Sequence, residues 1–293
     1  MVKKKKRVGA FRLLIQCAFA ALSNGHLIGF RTGKIYTGPL KTLCNPGLNC
    51  YSCPGAVGSC PIGALQAVLG SKQYHVALYV FGILTVLGTI FGRLICGFLC
   101  PFGLVQDLLH KIPFPKKVRK LHGESYWRSL RFVLLGVFVI LLPSLVHNAL
   151  GGGDPWFCKY ICPVGTLEAG IPLVLLNPEL QGAIGWQYVW KIGLLVLILM
   201  ASVVIYRPFC RYLCPLGAVY GLFNRFAIYR YHIDHEKCVE CGACQTACKL
   251  DIPVWKKPNS IDCIRCGECR NACPTGAIQS MYRAKKDAST PKS

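Results

Sequence analysis

The sequence predicts a mainly α membrane protein: four transmembrane helices in two pseudo-repeated halves, short half-helices between them, and a small soluble domain at the C-terminal end. Three observations predict it. Of the 293 residues, 53% are hydrophobic and only 16% charged, where an ordinary soluble domain has about a quarter charged. Four apolar stretches approach the roughly 20 residues needed to cross a bilayer. Finally, 34 Lys and Arg face 12 Asp and Glu, a net charge of +22. In a soluble chain that balance would suggest nucleic acid. With a mean hydropathy of +0.41 it points instead to a basic cytoplasmic membrane face, so lipid and not nucleic acid is the expected contact.

The first span covers residues 8–30, preceded by Lys3, Lys4, Lys5, Lys6 and Arg7. No small-residue cleavage site follows and the apolar run is long, so a cleaved secretory signal is not expected. The second, third and fourth spans cover residues 74–95, 130–150 and 186–206. All contain Gly, Ser or Thr, which let membrane helices approach closely. Lys111, Lys116, Lys117, Arg119 and Lys120 separate the second span from the third, and Arg207, Arg211, Arg225 and Arg230 follow the fourth. That bias puts both termini on the cytoplasmic side of a multi-pass cell-membrane protein. Residues 1–230 then form the membrane domain, 231–280 a cytoplasmic domain, and 281–293, which lack an apolar run, a mobile end.

Nineteen cysteines without a secretory signal read as metal ligands rather than a disulfide framework. Cys238-Val-Glu-Cys241-Gly-Ala-Cys244-Gln-Thr-Ala-Cys248 is C-x2-C-x2-C-x3-C, and Cys263-Ile-Arg-Cys266-Gly-Glu-Cys269-Arg-Asn-Ala-Cys273-Pro274 repeats it. This resembles the bacterial two-cluster ferredoxin, an α+β domain in which the fourth cysteine of each run ligates the other cluster. The resemblance implies one [4Fe–4S] cluster on Cys238, Cys241, Cys244 and Cys273, and a second on Cys263, Cys266, Cys269 and Cys248. Gly242 and Gly267 permit the close backbone approach such loops need. Zinc is the alternative for paired C-x2-C motifs; two complete copies of the iron–sulfur spacing speak against it. Lys249 stands where the bacterial pattern has Pro, outside the ligand set.

The remaining cysteines have their own pattern. Cys96-Gly-Phe-Leu-Cys100, Cys158-Lys-Tyr-Ile-Cys162 and Cys210-Arg-Tyr-Leu-Cys214 each continue as Pro-x-Gly, and Cys60-Pro-Ile-Gly shares that ending. Here nearly the whole chain resembles the polyferredoxin membrane proteins of the NapH, NosR and CcoG/FixG group, which combine membrane helices, C-x3-C-P motifs and a double ferredoxin module. The Cys44–Cys60 cluster and Cys158/Cys162 are extra to the usual two motifs. Pro after the second cysteine suits the first position of a helix, whose N-terminal partial charge favours an anionic thiolate cluster. Arg93, Arg207 and Arg211 add positive charge. A parallel repeat implies a pseudo-two-fold axis along the membrane normal. It gathers Cys96, Cys100, Cys210 and Cys214 at the inner face and Cys53, Cys60, Cys158 and Cys162 at the outer face, each enough for a [4Fe–4S] cluster. Cys44 and Cys50 are left to replace a ligand or to form an outer disulfide. Thiol exchange, copper ligation and simple packing are the alternatives.

Weaker signals complete the reading. Cys17 reads as a core residue of the first helix. His26, His75 and His147, near the outer helix ends, are either haem or quinol ligands or merely solvated; nothing else in the sequence supports a quinone or haem. Gly151-Gly152-Gly153 reads as a flexible turn. No nucleophile–base constellation is visible, so any substrate chemistry belongs to a partner, as in an oxidoreductase subunit of the quinol dehydrogenase type. The expected function is electron transfer between the cytoplasmic domain and the membrane or its outer face, with redox partner proteins at either end. A copper reductase and a transmembrane thiol–disulfide relay are the competing readings. The sequence does not speak to oligomeric state.

Overall fold

The computed structural model describes residues 2–71, 74–148, 152–182 and 184–280. The mobile end expected at 281–293 lies outside them. Within residues 1–230, the expected membrane domain, long helices and half-helices alternate. Helix α1 (Val2–Ser23) precedes α2 (Pro61–Ser71), α3 (Tyr74–Phe91) precedes α4 (Pro101–Leu109), α5 (Glu124–Leu145) precedes α6 (Pro163–Leu176), and α7 (Trp186–Val204) precedes α8 (Pro215–Phe223).

Each half-helix opens with Pro, preceded by cysteine. Cys100, Cys162 and Cys214 are the residues that cap α4, α6 and α8, and the Cys214 thiol accepts the Gly217 N–H at 3.3 Å. The missing Pro N–H costs nothing at a position that has no intrahelical partner. The half-helices form the centre: Ile62, Gln66, Phe102, Gln106, Leu216 and Tyr220 are at most 1% exposed. Around them α2 packs between α3 and α5, α4 between α1 and α7, and α8 between α3 and α5. Helix α3 stops at Gly92, where φ is +55° and an added Cβ would lie 2.5 Å from the Asn224 side-chain oxygen.

Among the described residues, α5 and α7 are long and apolar enough to cross a membrane. Their apolar residues face outward: Val133, Ile140, Leu145, Val189, Leu197 and Met200 are all exposed. A soluble protein rarely shows so large an apolar surface. Helix α1 ends at Ser23 and α3 at Phe91, short of the expected span ends at 30 and 95. Of the four expected spans, two are met among the described residues; the helices at the other two end where the chain turns at Asn24–Gly25 and at Gly92. In the expected glycine turn, Gly153 N–H bonds to Gly70 O at 3.0 Å and Asn148 N–H to Gly152 O at 2.8 Å; Gly151 lies outside the described residues.

The C-terminal domain pairs β1 (Tyr231–Ile233) antiparallel with β2 (Ile278–Ser280), Tyr231 opposite Ser280. Two one-turn helices, α9 (Ala243–Ala247) and α10 (Glu268–Ala272), pack together between the strands in sequence. The domain is fixed to the membrane domain by buried ions. Asp262 meets Arg128 at 2.5 Å, Arg131 at 2.7 Å and Arg93 at 3.5 Å. Arg265 donates to Phe91 O and Asn224 O, and Asn224 donates to Ser260 O and Cys263 O.

Candidate metal centres

The C-terminal cysteines line two cavities. Cys238, Cys241, Cys244 and Cys273 share one with Ile233, Trp255 and Ile278. Cys248, Cys263, Cys266 and Cys269 share the other with Tyr206, Tyr231 and Ile264. Both loops curl by the same device: Glu240 (φ +50°) and Arg265 (φ +52°) sit just before the second cysteine in left-handed backbone, followed by Gly242 (+70°) and Gly267 (+83°). Left-handed residues on either side of the second cysteine turn each loop sharply, at a cost only glycine escapes. Backbone amides approach the sulfurs, from Trp255 to Cys244 and from Ile252 and Leu250 to Cys248. Burial pushes the Cys263 thiol up to about 12. Cys273 is the exception: burial raises it, but the Thr275 hydroxyl and neighbouring amides hold it below the ordinary thiol range. Four crowded thiolates of this kind need cations between them, so the donor chemistry fits an iron–sulfur cubane.

In the membrane domain Cys96, Cys100, Cys210 and Cys214 are all buried and lie within electrostatic range of one another. The arginines near them act on the loops. Arg207 donates to Cys96 O at 2.6 Å while pairing with Asp107 at 2.8 and 2.5 Å, and Arg93 donates to Cys210 O at 2.9 Å. Arg211 is engaged elsewhere, with Arg119 O and Glu124.

The outer set differs from the expected one by a residue. Cys50, Cys60, Cys158 and Cys162 line a cavity of about 370 Å³ with Tyr51, Ser52, Lys159 and Lys191. Cys53 is not on its wall; its thiol points to the Asn24 side-chain oxygen at 3.7 Å. The reason is a long-range bond: the Glu168 carboxylate accepts the Cys50 N–H at 2.7 Å, which seats Cys50 opposite the Cys162 helix. The two C-terminal cavities are far tighter, about 20 Å³ each.

The sets adjoin one another in order. Gly97, between Cys96 and Cys100, lies under Ile264 O of the second C-terminal loop, where an added Cβ would sit 2.5 Å from that oxygen. The inner and outer sets meet across one peptide unit: the Leu48 amide faces the Cys100 thiol and the Asn49 amide faces Cys60. Tyr220, fully buried, stands beside the cysteines of both sets and donates to Pro46 O at 3.0 Å. Among the described residues no three His, Cys, Asp or Glu side chains converge on a site for a single ion. A tetrahedral zinc at about 2.3 Å from sulfur would require such convergence; a cubane takes its four corners wider apart.

A family model described as "4Fe-4S binding domain" matches residues 75–121, 131–171, 186–230 and 269–290, more than half of the chain. The chain belongs to this 4Fe-4S family. It is a NapH- and NosR-like polyferredoxin. Two further 4Fe-4S binding models match residues 229–250 and 258–279. An uncharacterized protein of Methanocaldococcus jannaschii is 29% identical over 70% of this chain and 78% of its own length. The methylamine utilization ferredoxin-type protein MauN of Paracoccus denitrificans is 32% identical over 54% of this chain and 48% of its own. The ferredoxin-type protein NapH of Haemophilus influenzae is 28% identical over 66% and 52%. The chain thus spans about half the length of these two named relatives. No solved structure matches.

Cys17, Cys44 and the histidines singled out from the sequence fall outside the four sets. All nineteen cysteines are free, so Cys44 and Cys50 form no disulfide, and Cys17 is exposed on α1 rather than in the core. Cys44 lines a separate cavity with Lys41 and Tyr79. His26 Nδ1 is 3.1 Å from Pro54 O and His147 Nδ1 3.3 Å from Leu145 O; neither lines a cysteine cavity. The His75 side chain lies outside the described residues. Sequence reasoning missed Gln66, Gln106, Asp107 and Glu168, whose partners are 91–118 residues away.

Proposed function

We propose that this polyferredoxin is a membrane-bound wire of four [4Fe–4S] clusters. In order they are held by Cys238, Cys241, Cys244 and Cys273; by Cys248, Cys263, Cys266 and Cys269; by Cys96, Cys100, Cys210 and Cys214; and by Cys50, Cys60, Cys158 and Cys162. Electrons pass between the cytoplasmic domain and the outer face, where the open cavity beside Cys50 meets an acceptor or donor. The carrying observation is the Leu48–Asn49 peptide, one of whose amides faces an inner thiol and the next an outer one. The two membrane-domain sites are then neighbours, although the bilayer core is about 30 Å thick. The long helices shield the irregular loops, as non-helical backbone at membrane depth requires. The bound clusters supply one-electron exchange; the protein fixes their spacing, excludes water and offers N–H donors to sulfur.

The membrane assignment and the cytoplasmic placement of both termini rest on the outward apolar faces of α5 and α7 and on the Lys/Arg bias. Copper chemistry is the less favoured reading, since the 4Fe-4S family model covers all three C-x3-C-P motifs. Iron and acid-labile sulfide counts test the proposal. Four clusters require about sixteen irons per chain; about eight would leave only the C-terminal pair and end the wire.

A further inference from the structure

The sixth residue after each Pro-preceding cysteine is Gln66, Gln106, Glu168 or Tyr220, one turn and a half into the half-helix. Two of these do the same thing in the two halves of the membrane domain. Gln106, fully buried on α4, accepts the Phe209 N–H at 3.2 Å and donates its amide to the Cys210 thiol at 3.1 Å. Gln66, fully buried on α2, accepts the Phe157 N–H at 3.0 Å and donates to the Cys158 thiol at 3.3 Å. Each amide spends its other hydrogen on the carbonyl one turn back, Phe102 O or Ile62 O. Every polar atom of both side chains is thereby satisfied, which is what a buried amide demands.

The second-half counterparts lack this donor. Glu168 accepts from Cys50 N and Tyr220 donates to Pro46 O, so both hold the 46–50 loop instead. Each membrane-domain cysteine set therefore receives one side-chain N–H, delivered from the opposite half of the chain. Hydrogen bonds to cluster sulfurs are among the levers that set reduction potential, because they stabilise the more negative, reduced state.

We infer that Gln106 and Gln66 are positioning residues that each raise the reduction potential of one membrane-domain cluster, Gln106 the inner one and Gln66 the outer one. The inference rests on the four-cluster reading above. Geometry makes the two effects separable, since each glutamine touches one set.

The test uses the full chain, reconstituted with iron and sulfide and titrated by EPR. Gln106→Met removes the donor without adding charge; Gln106→Glu keeps an acceptor for Phe209 N–H and loses the donor as carboxylate. Both should lower the inner-site potential and leave the other three unchanged, with iron content retained. Gln66→Met should lower only the outer potential. With side-chain-labelled ¹⁵N glutamine, the reduced inner cluster should show a nitrogen coupling that disappears in Gln106→Met. Unchanged potentials at full iron content would overturn the inference, as would a joint shift of inner and outer sites, which marks a general packing effect. About eight irons in the wild-type chain would sink the four-cluster reading itself, a result distinct from either.

Discussion

Replacing Asp262 with Asn should loosen the C-terminal domain from the membrane domain. The Asp262 side chain is 7% exposed and stands among Arg131 at 0%, Arg93 at 2% and Arg128 at 21%. Arg128 keeps Glu124 at 2.5 Å when the carboxylate is lost, and Arg93 keeps the carbonyls of Ile261 and Cys210. Arg131 keeps only Arg211 O at 3.5 Å and a neutral amide oxygen in place of the carboxylate, so one buried guanidinium loses its counter-ion. Breaking a buried pair this way costs about 3–5 kcal/mol. At tenfold for every 1.4 kcal/mol, that is a hundredfold or more in a local opening equilibrium, roughly. Amide hydrogen exchange of segment 258–264 in the full-length protein reads that equilibrium, with iron content as the control for intact clusters. The double variant Asp262→Leu, Arg131→Met should recover most of the protection, because an apolar pair of similar size replaces a buried ion pair at little cost. Exchange of Asp262→Asn within threefold of wild type would refute the reasoning.

Other substitutions probe the cysteine sets. Cys50→Ser should cost about four irons and Cys53→Ser none; the reverse would restore the sequence-based assignment of the outer set. Cys100→Ala and Cys214→Ala should each remove about four irons while the spectra of the C-terminal clusters persist. Gly97→Ala should push the Ile264 carbonyl away from an overlap of 2.5 Å and slow electron entry to the inner site, measured by rapid-freeze EPR, without changing iron content.

The legibility of these features follows their range along the chain. The C-terminal sets were readable because three ligands of each come from one short run; the positive φ at Glu240 and Arg265 is the backbone expression of that spacing. The inner set followed from repetition of C-x3-C-P. At the outer set the structure gathers Cys50 where the sequence suggests Cys53: Cys50 and Cys60 have no matching local spacing, and Cys50 is seated by Glu168, 118 residues away. Gln66 and Gln106 were hidden for the same reason, although their shared offset from Cys60 and Cys100 was a signal available in the sequence. The spans at 8–30 and 74–95 were drawn too long because hydropathy does not register where Gly25 and Gly92 turn the chain. Arg93 and Arg207 bring positive charge to the Cys210 thiol, as the sequence suggests, and their hydrogen bonds to Cys210 O and Cys96 O, which the sequence does not reveal, hold the loops that carry the thiols.

The central claim is that electrons travel from the C-terminal domain through the inner set to Cys50, Cys60, Cys158 and Cys162. It is tested most directly in liposomes with a reductant confined to the C-terminal side and a membrane-impermeant acceptor on the other. The account predicts acceptor reduction by the wild-type protein and its loss in Cys60→Ser and Cys162→Ser, while the C-terminal clusters in both variants are still reduced. Acceptor reduction by those variants at the wild-type rate would contradict it.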